Sequence, residues 1–126
     1  MQVPLPVTVE AIAALTAIER ADPWPENAGS PSYLLAEVAA KTDPAEAIAA
    51  AERFRRQWPR GLWRSWAYPR SLIISAQSAH RLGDRNAADE YFRRLDELAS
   101  EADPGSGLRS EVAAVRARLT AVGRGR

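Results

Sequence analysis

Residues 72–100 read LIISAQSAHRLGDRNAADEYFRRLDELAS, and this segment decides the fold. Each half carries apolar residues at helical spacing, and Gly83-Asp84 between them supplies a helix-stopping glycine followed by an N-cap. Because the connection is only about two residues long, the helices must pack against each other as an antiparallel hairpin. We therefore expect one helix from residue 69 to residue 82 and a second that ends near residue 102.

The apolar residues of this segment predict which side of each helix is buried. On the first helix they are Leu72, Ile73, Ala76, Ala79 and Leu82, and on the second they are Ala88, Phe92, Leu95, Leu98 and Ala99. The small residues allow two helices to approach closely, and the large ones fill the space beside them. One hairpin cannot bury both of its apolar faces alone, so we expect a stack of hairpins.

Other helices are predicted on both sides of this hairpin. Asp43, Pro44 and Glu46 supply an N-cap, a helix-compatible proline and a carboxylate three residues after the cap, so a helix runs from residue 44 to about residue 57. Its predicted buried stripe is Ala47, Ile48, Ala51, Phe54 and Trp58. A preceding helix starts after Ser30, and an N-terminal helix covers 8–20 with Ile12, Leu15 and Ile18 on one side. A closing helix covers 107–122 and carries Leu108, Val112, Val115, Leu119 and Val122.

Composition favours one all-α domain over residues 1–126. The chain is 46% apolar and rich in alanine, it contains no cysteine, and its formal net charge is +1. This length suits one moderate core, and the absence of cysteine suits a reducing compartment, so we expect a cytoplasmic location. No window approaches the roughly 18 apolar residues that a membrane span requires, and we expect no membrane partner.

Two segments together resemble the tetratricopeptide repeat (TPR) family. In 69–102, Ala76, Gly83, Ala88 and Phe92 stand where that family places a small residue, the turn, a second small residue and an aromatic residue. A divergent copy covers 31–59, in which Ala47 matches Ala88. The resemblance implies a short right-handed stack of antiparallel hairpins with about five to six helices. The segment from residue 68 to residue 119 also looks like C-terminal parts of multidomain bacterial TPR proteins.

The resemblance also implies a partner-binding groove lined by the first helix of each repeat. In the second repeat the implied groove residues are Arg70, Ile73, Gln77, His80 and Arg81. The matching positions of the first repeat are Ser32, Ala36 and Ala39. The lysine and asparagine set with which chaperone-binding members hold a carboxylate is absent here, so capture of a peptide C-terminus is not expected.

The connector 60–68 and its flanks form an arginine- and tryptophan-rich stretch. Residues 53–70 contain six arginines, three of the four tryptophans and no acidic residue. Trp58, Trp63, Trp66 and Tyr68 either fill the gap between the two repeats or remain exposed and bind a partner. In the second case Arg60, Trp63, Arg64 and Trp66 join the groove residues as candidate partner-binding residues, suited to an acidic or proline-rich peptide or to stacked bases.

These patterns favour a protein–protein interaction module over an enzyme. His80 is the single histidine, no nucleophile motif surrounds it, and nothing resembles a metal or phosphate site, so we assign no catalytic residue, metal or cofactor. Two alternatives remain open: binding of RNA or another single-stranded nucleic acid through residues 53–70, and a structural homo-oligomerisation domain. The sequence does not predict the oligomeric state.

Overall fold

The computed structural model describes residues 5–21, 31–57, 67–102, 105 and 107–124, which form six helices and no strand. The helices are α1 (Leu5–Ala21), α2 (Pro31–Ala39), α3 (Pro44–Gln57), α4 (Ala67–Arg81), α5 (Arg85–Glu101) and α6 (Leu108–Arg124). The prediction of an all-α chain is confirmed over these ranges.

Two helices begin earlier than the sequence indicated. Helix α1 starts at Leu5 rather than residue 8, and α4 starts at Ala67 rather than residue 69. In both cases a proline, Pro6 or Pro69, lies within the first turn. The amide groups of a first turn have no partner within the helix, so a proline there loses no hydrogen bond. A proline therefore marks the first turn of a helix and does not fix its first residue.

The helix ends carry the caps that the sequence predicted. The Asp84 side chain accepts a hydrogen bond from the Ala87 amide at 3.1 Å, and Asp43 accepts one from the Glu46 amide at 3.2 Å. Gly83 has φ +78°, a left-handed conformation that favours glycine and ends α4. The Asp84 amide then donates back to the Ala79 carbonyl at 2.9 Å. These bonds fix the tight turn between α4 and α5.

Consecutive helices pack against each other along the chain. α1 contacts α2, α2 contacts α3, α3 contacts α4 and α4 contacts α5, while α6 lies against both α4 and α5, and α2 also touches α4. Helix α4 therefore has four neighbours. This position explains why six successive residues of α4, from Ser71 to Ala76, are buried.

The core consists of two clusters that meet at α4. One cluster joins α4, α5 and α6 through residues that include Leu72, Phe92 and Leu95. The other joins α2 and α3, and Ile74 of α4 belongs to it. The described residues of the predicted stripes of α3 and α5 lie in these clusters or at their edges, where Ile48 and Leu98 are partly buried, except Ala99, which is buried outside them.

Two residues predicted to be buried are exposed. Leu82, which is 51% exposed, lies in the turn just beyond the last residue of α4 and so leaves the stripe that the helix buries. Ile18, which is 50% exposed, is not among the α1 residues that pack against the core, which are Ile12 and Leu15. Trp58 and Val122 belong to predicted stripes but fall outside the side chains that the structure describes.

Candidate functional site

The predicted partner-binding residues fall into two groups. Arg60, Trp63, Arg64 and Trp66 lie outside the described residues, as does Trp58, so the choice between a core role and an exposed role for these tryptophans stays a prediction. Arg70, Ile73, Gln77, His80 and Arg81 are all described and all belong to α4.

The burial of Ile73 shows that its predicted place in a partner-binding groove is wrong. Its side chain is 2% exposed and packs in the core cluster of α4, α5 and α6, so it offers no surface to a partner. The matching positions on α2, which are Ser32, Ala36 and Ala39, are buried as well. Ile73 is buried because α4 lies at the centre of the domain, where its four neighbouring helices cover more than one side of it.

Arg70 joins three helices through ion pairs. Its guanidinium lies 3.0 Å from Glu111 of α6 and 3.9 Å from Glu37 of α2. Glu37 also accepts a hydrogen bond from the Tyr33 hydroxyl at 2.6 Å. Burial, followed by this bond to Glu37, raises the pKa of Tyr33. Because two carboxylates already surround Arg70, its charge is balanced within the chain and is less available to a ligand.

Arg81 is also engaged within the chain. Its guanidinium donates to the carbonyl of Ala40 and, at 3.4 Å, to that of Lys41, immediately after the end of α2. The last carbonyls of a helix lack partners within it, and a cation placed there also interacts favourably with the helix dipole. Arg81 therefore caps α2 from the end of α4. The two neighbouring candidates, Gln77 and His80, are half-buried.

Arg53 and its partners fasten α1 to α2 and α3. Glu19 of α1 is 9% exposed, accepts a hydrogen bond from Ser32 and lies 3.0 Å from Arg53, which also contacts Glu46 at 3.1 Å. Burial alone raises the pKa of Glu19, but the hydrogen bonds from Arg53 and Ser32 outweigh burial and leave the pKa below its ordinary value. Glu19 is therefore a buried carboxylate whose charge is satisfied.

Arg55 is largely buried between α3, α4 and α5. Its guanidinium donates to the Ser71 hydroxyl at 3.2 Å and lies 5.5 Å from the centre of the Tyr91 ring, and burial lowers its pKa. The Tyr91 hydroxyl donates to Glu52 of α3 at 2.9 Å. One terminal nitrogen of Arg55, Nη2, is buried and has no hydrogen-bond partner. These contacts join the two hairpins.

An open cleft of about 510 Å³ lies where α6 meets the α4–α5 hairpin. His80 of α4, Arg85 and Asp89 of α5 and Arg116 of α6 line it together with four less polar residues, Ala88, Phe92, Leu119 and Thr120. Its volume falls in the range of roughly 300–1,000 Å³ typical of ligand-binding pockets. Of the predicted site residues that the structure describes, His80 alone lines this cleft.

The two arginines of the cleft differ in whether they are paired within the chain. The Arg116 guanidinium lies 4.7 Å from the centre of the Phe92 ring and donates to Asp96 at 3.0 Å. Arg85 is exposed and forms no ion pair with any residue that the structure describes. Of the two arginines that line the cleft, Arg116 is paired with Asp96 and Arg85 has no ion pair among the described residues, so Arg85 is the one more available to a ligand.

The sequence did not single out Arg85 or Arg116. Arg85 is the first residue of α5, directly after the cap Asp84, and Arg116 lies between two residues of the buried stripe of α6. Nothing in a single helix indicates that these two side chains reach the same cleft as His80. The one usable signal was that Arg116 and Thr120 are four residues apart and so share a helix face.

The described residues include no cluster of metal-ligating side chains. No three or more histidine, aspartate or glutamate side chains in these ranges are placed to hold a metal ion. No helix in the described part of the chain combines the length and apolar character needed to cross a membrane.

No protein-family model, no curated protein and no solved structure matches the chain. The resemblance to the TPR family therefore rests on the residues quoted above.

Proposed function

We propose that this chain is a protein-interaction module, built as a TPR-like right-handed stack of hairpins, that binds a peptide carrying acidic side chains. Its site is the cleft between α4, α5 and α6. The lack of cysteine supports our further proposal that it acts in the cytoplasm.

The observation that carries the proposal is that Arg85 lines the cleft as an exposed arginine with no ion pair among the described residues. Arg53, Arg55, Arg70 and Arg81 all make contacts within the chain, whereas Arg85 is exposed in a cleft of ligand-binding size and lacks an ion-pair partner among the described residues. An exposed guanidinium in a cleft that also holds apolar side chains suits a carboxylate that is flanked by apolar groups.

The same contacts disfavour the nucleic-acid alternative. Of the four described arginines in 53–70, three are used inside the chain and Arg56 alone is exposed without an ion pair in the described ranges. Binding to a phosphate backbone requires several free cations along one surface. That alternative now depends on Arg60 and Arg64, which lie outside the described residues.

Selection from a phage-displayed library of random peptides tests the proposal. We expect the wild-type chain to enrich peptides with a recurrent aspartate or glutamate, and the variant Arg85→Glu to enrich lysine or arginine at that position instead. Inversion of the preferred charge cannot result from mere loss of folding, which thermal unfolding would monitor separately.

The matched control is Arg56→Glu, which makes the same change of charge on an exposed residue of α3 outside the cleft. This variant should select the same peptides as the wild type. Failure of the wild type to enrich any peptide family would overturn the proposed function. Enrichment that Arg56→Glu abolishes and Arg85→Glu leaves unchanged would place the site on the arginine- and tryptophan-rich stretch instead.

A further inference from the structure

The outer side of α1 is unusually apolar for a surface helix. Its exposed side chains include six apolar residues, which are Val9, Ala13, Ala14, Ala17, Ile18 and Ala21, and only two charged ones, Glu10 and Arg20. Val9 is 64% exposed and Ile18 is 50% exposed. A helix at the surface of a domain normally presents polar residues to water, so an outer side of this kind is characteristic of a helix with a second partner.

The inner side of α1 is already occupied. Ile12 and Leu15 pack against the core cluster of α2 and α3, and Glu19 contacts Ser32 and Arg53. The inner contacts hold the helix in place and leave the outer side to a different partner. Since the inner side alone fixes α1 to α2, a partner on the outer side can bind without rearranging the domain.

The two charged residues of the outer side are arranged for self-association. Glu10 and Arg20 are ten residues apart, on either side of Ala13 and Ala17, and neither forms an ion pair with a described residue. When two copies of α1 lie antiparallel about a two-fold axis near residue 15, Glu10 of each copy lies opposite Arg20 of the other. Ala13 then lies opposite Ala17, and these small residues allow the helices to approach closely.

We propose that the outer side of α1 binds the same side of a second copy of this chain, forming a two-fold symmetric dimer. The charge arrangement selects this occupant, because one antiparallel pairing brings together two opposite-charge pairs and places Ala13 and Ala17 between them. A contact made by one helix from each copy is smaller than the roughly 1,600 Å² of a standard stable interface, so the dimer should dissociate on dilution.

Sedimentation equilibrium of the full chain, over at least a hundredfold range of concentration, tests the proposal. The apparent mass should rise from monomer to dimer as concentration rises. Glu10→Arg places arginine opposite arginine at both ends of the interface and should raise the dissociation constant at least about tenfold. The double variant Glu10→Arg/Arg20→Glu restores both pairs with reversed signs and should return the dissociation constant to within about threefold of the wild type.

The rescue separates a direct contact from general damage, and circular dichroism checks that each variant keeps its helices. Lys41→Glu, which reverses an exposed charge beyond α2, serves as the matched control and should leave the dissociation constant unchanged. A chain that stays monomeric throughout would overturn the proposal. The proposal would equally fail if the double variant had the same raised dissociation constant as Glu10→Arg. It would also fail if neither variant changed the dissociation constant, because the contact would then lie elsewhere.

Discussion

Removal of the Arg53 side-chain charge should weaken the attachment of α1, and the loss should depend on pH. In Arg53→Met, Glu19 keeps the hydrogen bond from Ser32 but loses the guanidinium at 3.0 Å while remaining 9% exposed. Removing one partner of a fully buried ion pair costs about 3–5 kcal/mol, and a hydrogen bond to a charged group contributes about 1.5–3 kcal/mol. Because the Arg53 side chain is 31% exposed, water reduces the loss, and we expect about 2 kcal/mol.

The sign of the pH dependence follows from Glu19. Its pKa in the folded wild type lies below the ordinary value of 4.5, so the pair contributes fully above 4.5 and its contribution is lost as the pH falls through the lower folded value. The destabilisation caused by Arg53→Met should therefore be largest near neutral pH and should shrink in acid. Urea unfolding, followed by far-ultraviolet circular dichroism at several pH values, measures both quantities.

The matched control is Arg93→Met on α5. Arg93 also contacts two carboxylates, Glu90 and Glu97, but these groups are exposed, and exposed ion pairs contribute little to stability. Its replacement should therefore change the free energy of unfolding much less than Arg53→Met does. The reasoning about burial is refuted if the two variants lose equal stability, or if the loss from Arg53→Met is the same in acid as at neutral pH.

Three further substitutions test the core and the turn by the same urea assay. Phe54→Ala should cost about 3–5 kcal/mol, because Phe54 is fully buried and its ring lies 5.3 Å from that of Tyr33; a loss under about 1 kcal/mol would contradict this packing. Ser75→Ala should leave stability unchanged or raise it by about 1 kcal/mol, because the buried Ser75 hydroxyl has no hydrogen-bond partner, and a clear loss would reveal a bond to it. Gly83→Ala should cost about 1–2 kcal/mol through its φ of +78° alone, since nothing lies within 4 Å of an added Cβ, whereas Gly105→Ala, where φ is not positive, should cost less.

Local features of the fold could be predicted because they depend on neighbouring residues. Asp43 and Asp84 cap the helices that follow them, and Gly83 takes the left-handed conformation that its place in the turn requires. The periodicity of α5 likewise gave its buried side, since that helix packs mainly against α4. In each case the information lies within about one helical turn of the residue concerned.

The functional surface of α4 could not be predicted in the same way. The apolar spacing of α4 included Ile73, whereas the family pattern placed Ile73 in a groove, and Ile73 is buried because α4 has four neighbours. The contacts of Arg70 with Glu111 and of Arg81 with Ala40 each join residues 41 positions apart. Such pairs depend on how the helices are oriented relative to one another, which no segment of the sequence specifies alone.

The arginines show that composition alone does not tell which charged side chains are available to a ligand. The chain contains sixteen arginines and one lysine, and Arg53, Arg55, Arg70 and Arg81 each contact groups on another helix or turn. The guanidinium group suits this use because its planar set of five donors can contact several acceptors at once. A high arginine content therefore reflects in part the contacts that hold the hairpins together. Which arginines are available to a ligand must be decided residue by residue from their contacts.

The two proposed surfaces together predict that the chain binds an immobilised peptide with a higher apparent affinity than the same peptide in solution. The dimer face is on α1, which packs against α2, whereas the peptide cleft is formed by α4, α5 and α6. A dimer formed through α1 therefore leaves two clefts open, and binding of both to a peptide-coated surface should increase the apparent affinity by at least about a hundredfold.

Glu10→Arg tests this prediction because it changes the dimer face and leaves the cleft intact. At a concentration where the wild type is dimeric, the variant should bind a soluble selected peptide as tightly as the wild type does in fluorescence anisotropy. It should dissociate faster than the wild type from the same peptide immobilised at high density, and Glu10→Arg/Arg20→Glu should recover the slow dissociation. Equal dissociation rates for all three proteins would show that α1 does not couple two clefts, even if each cleft binds its peptide.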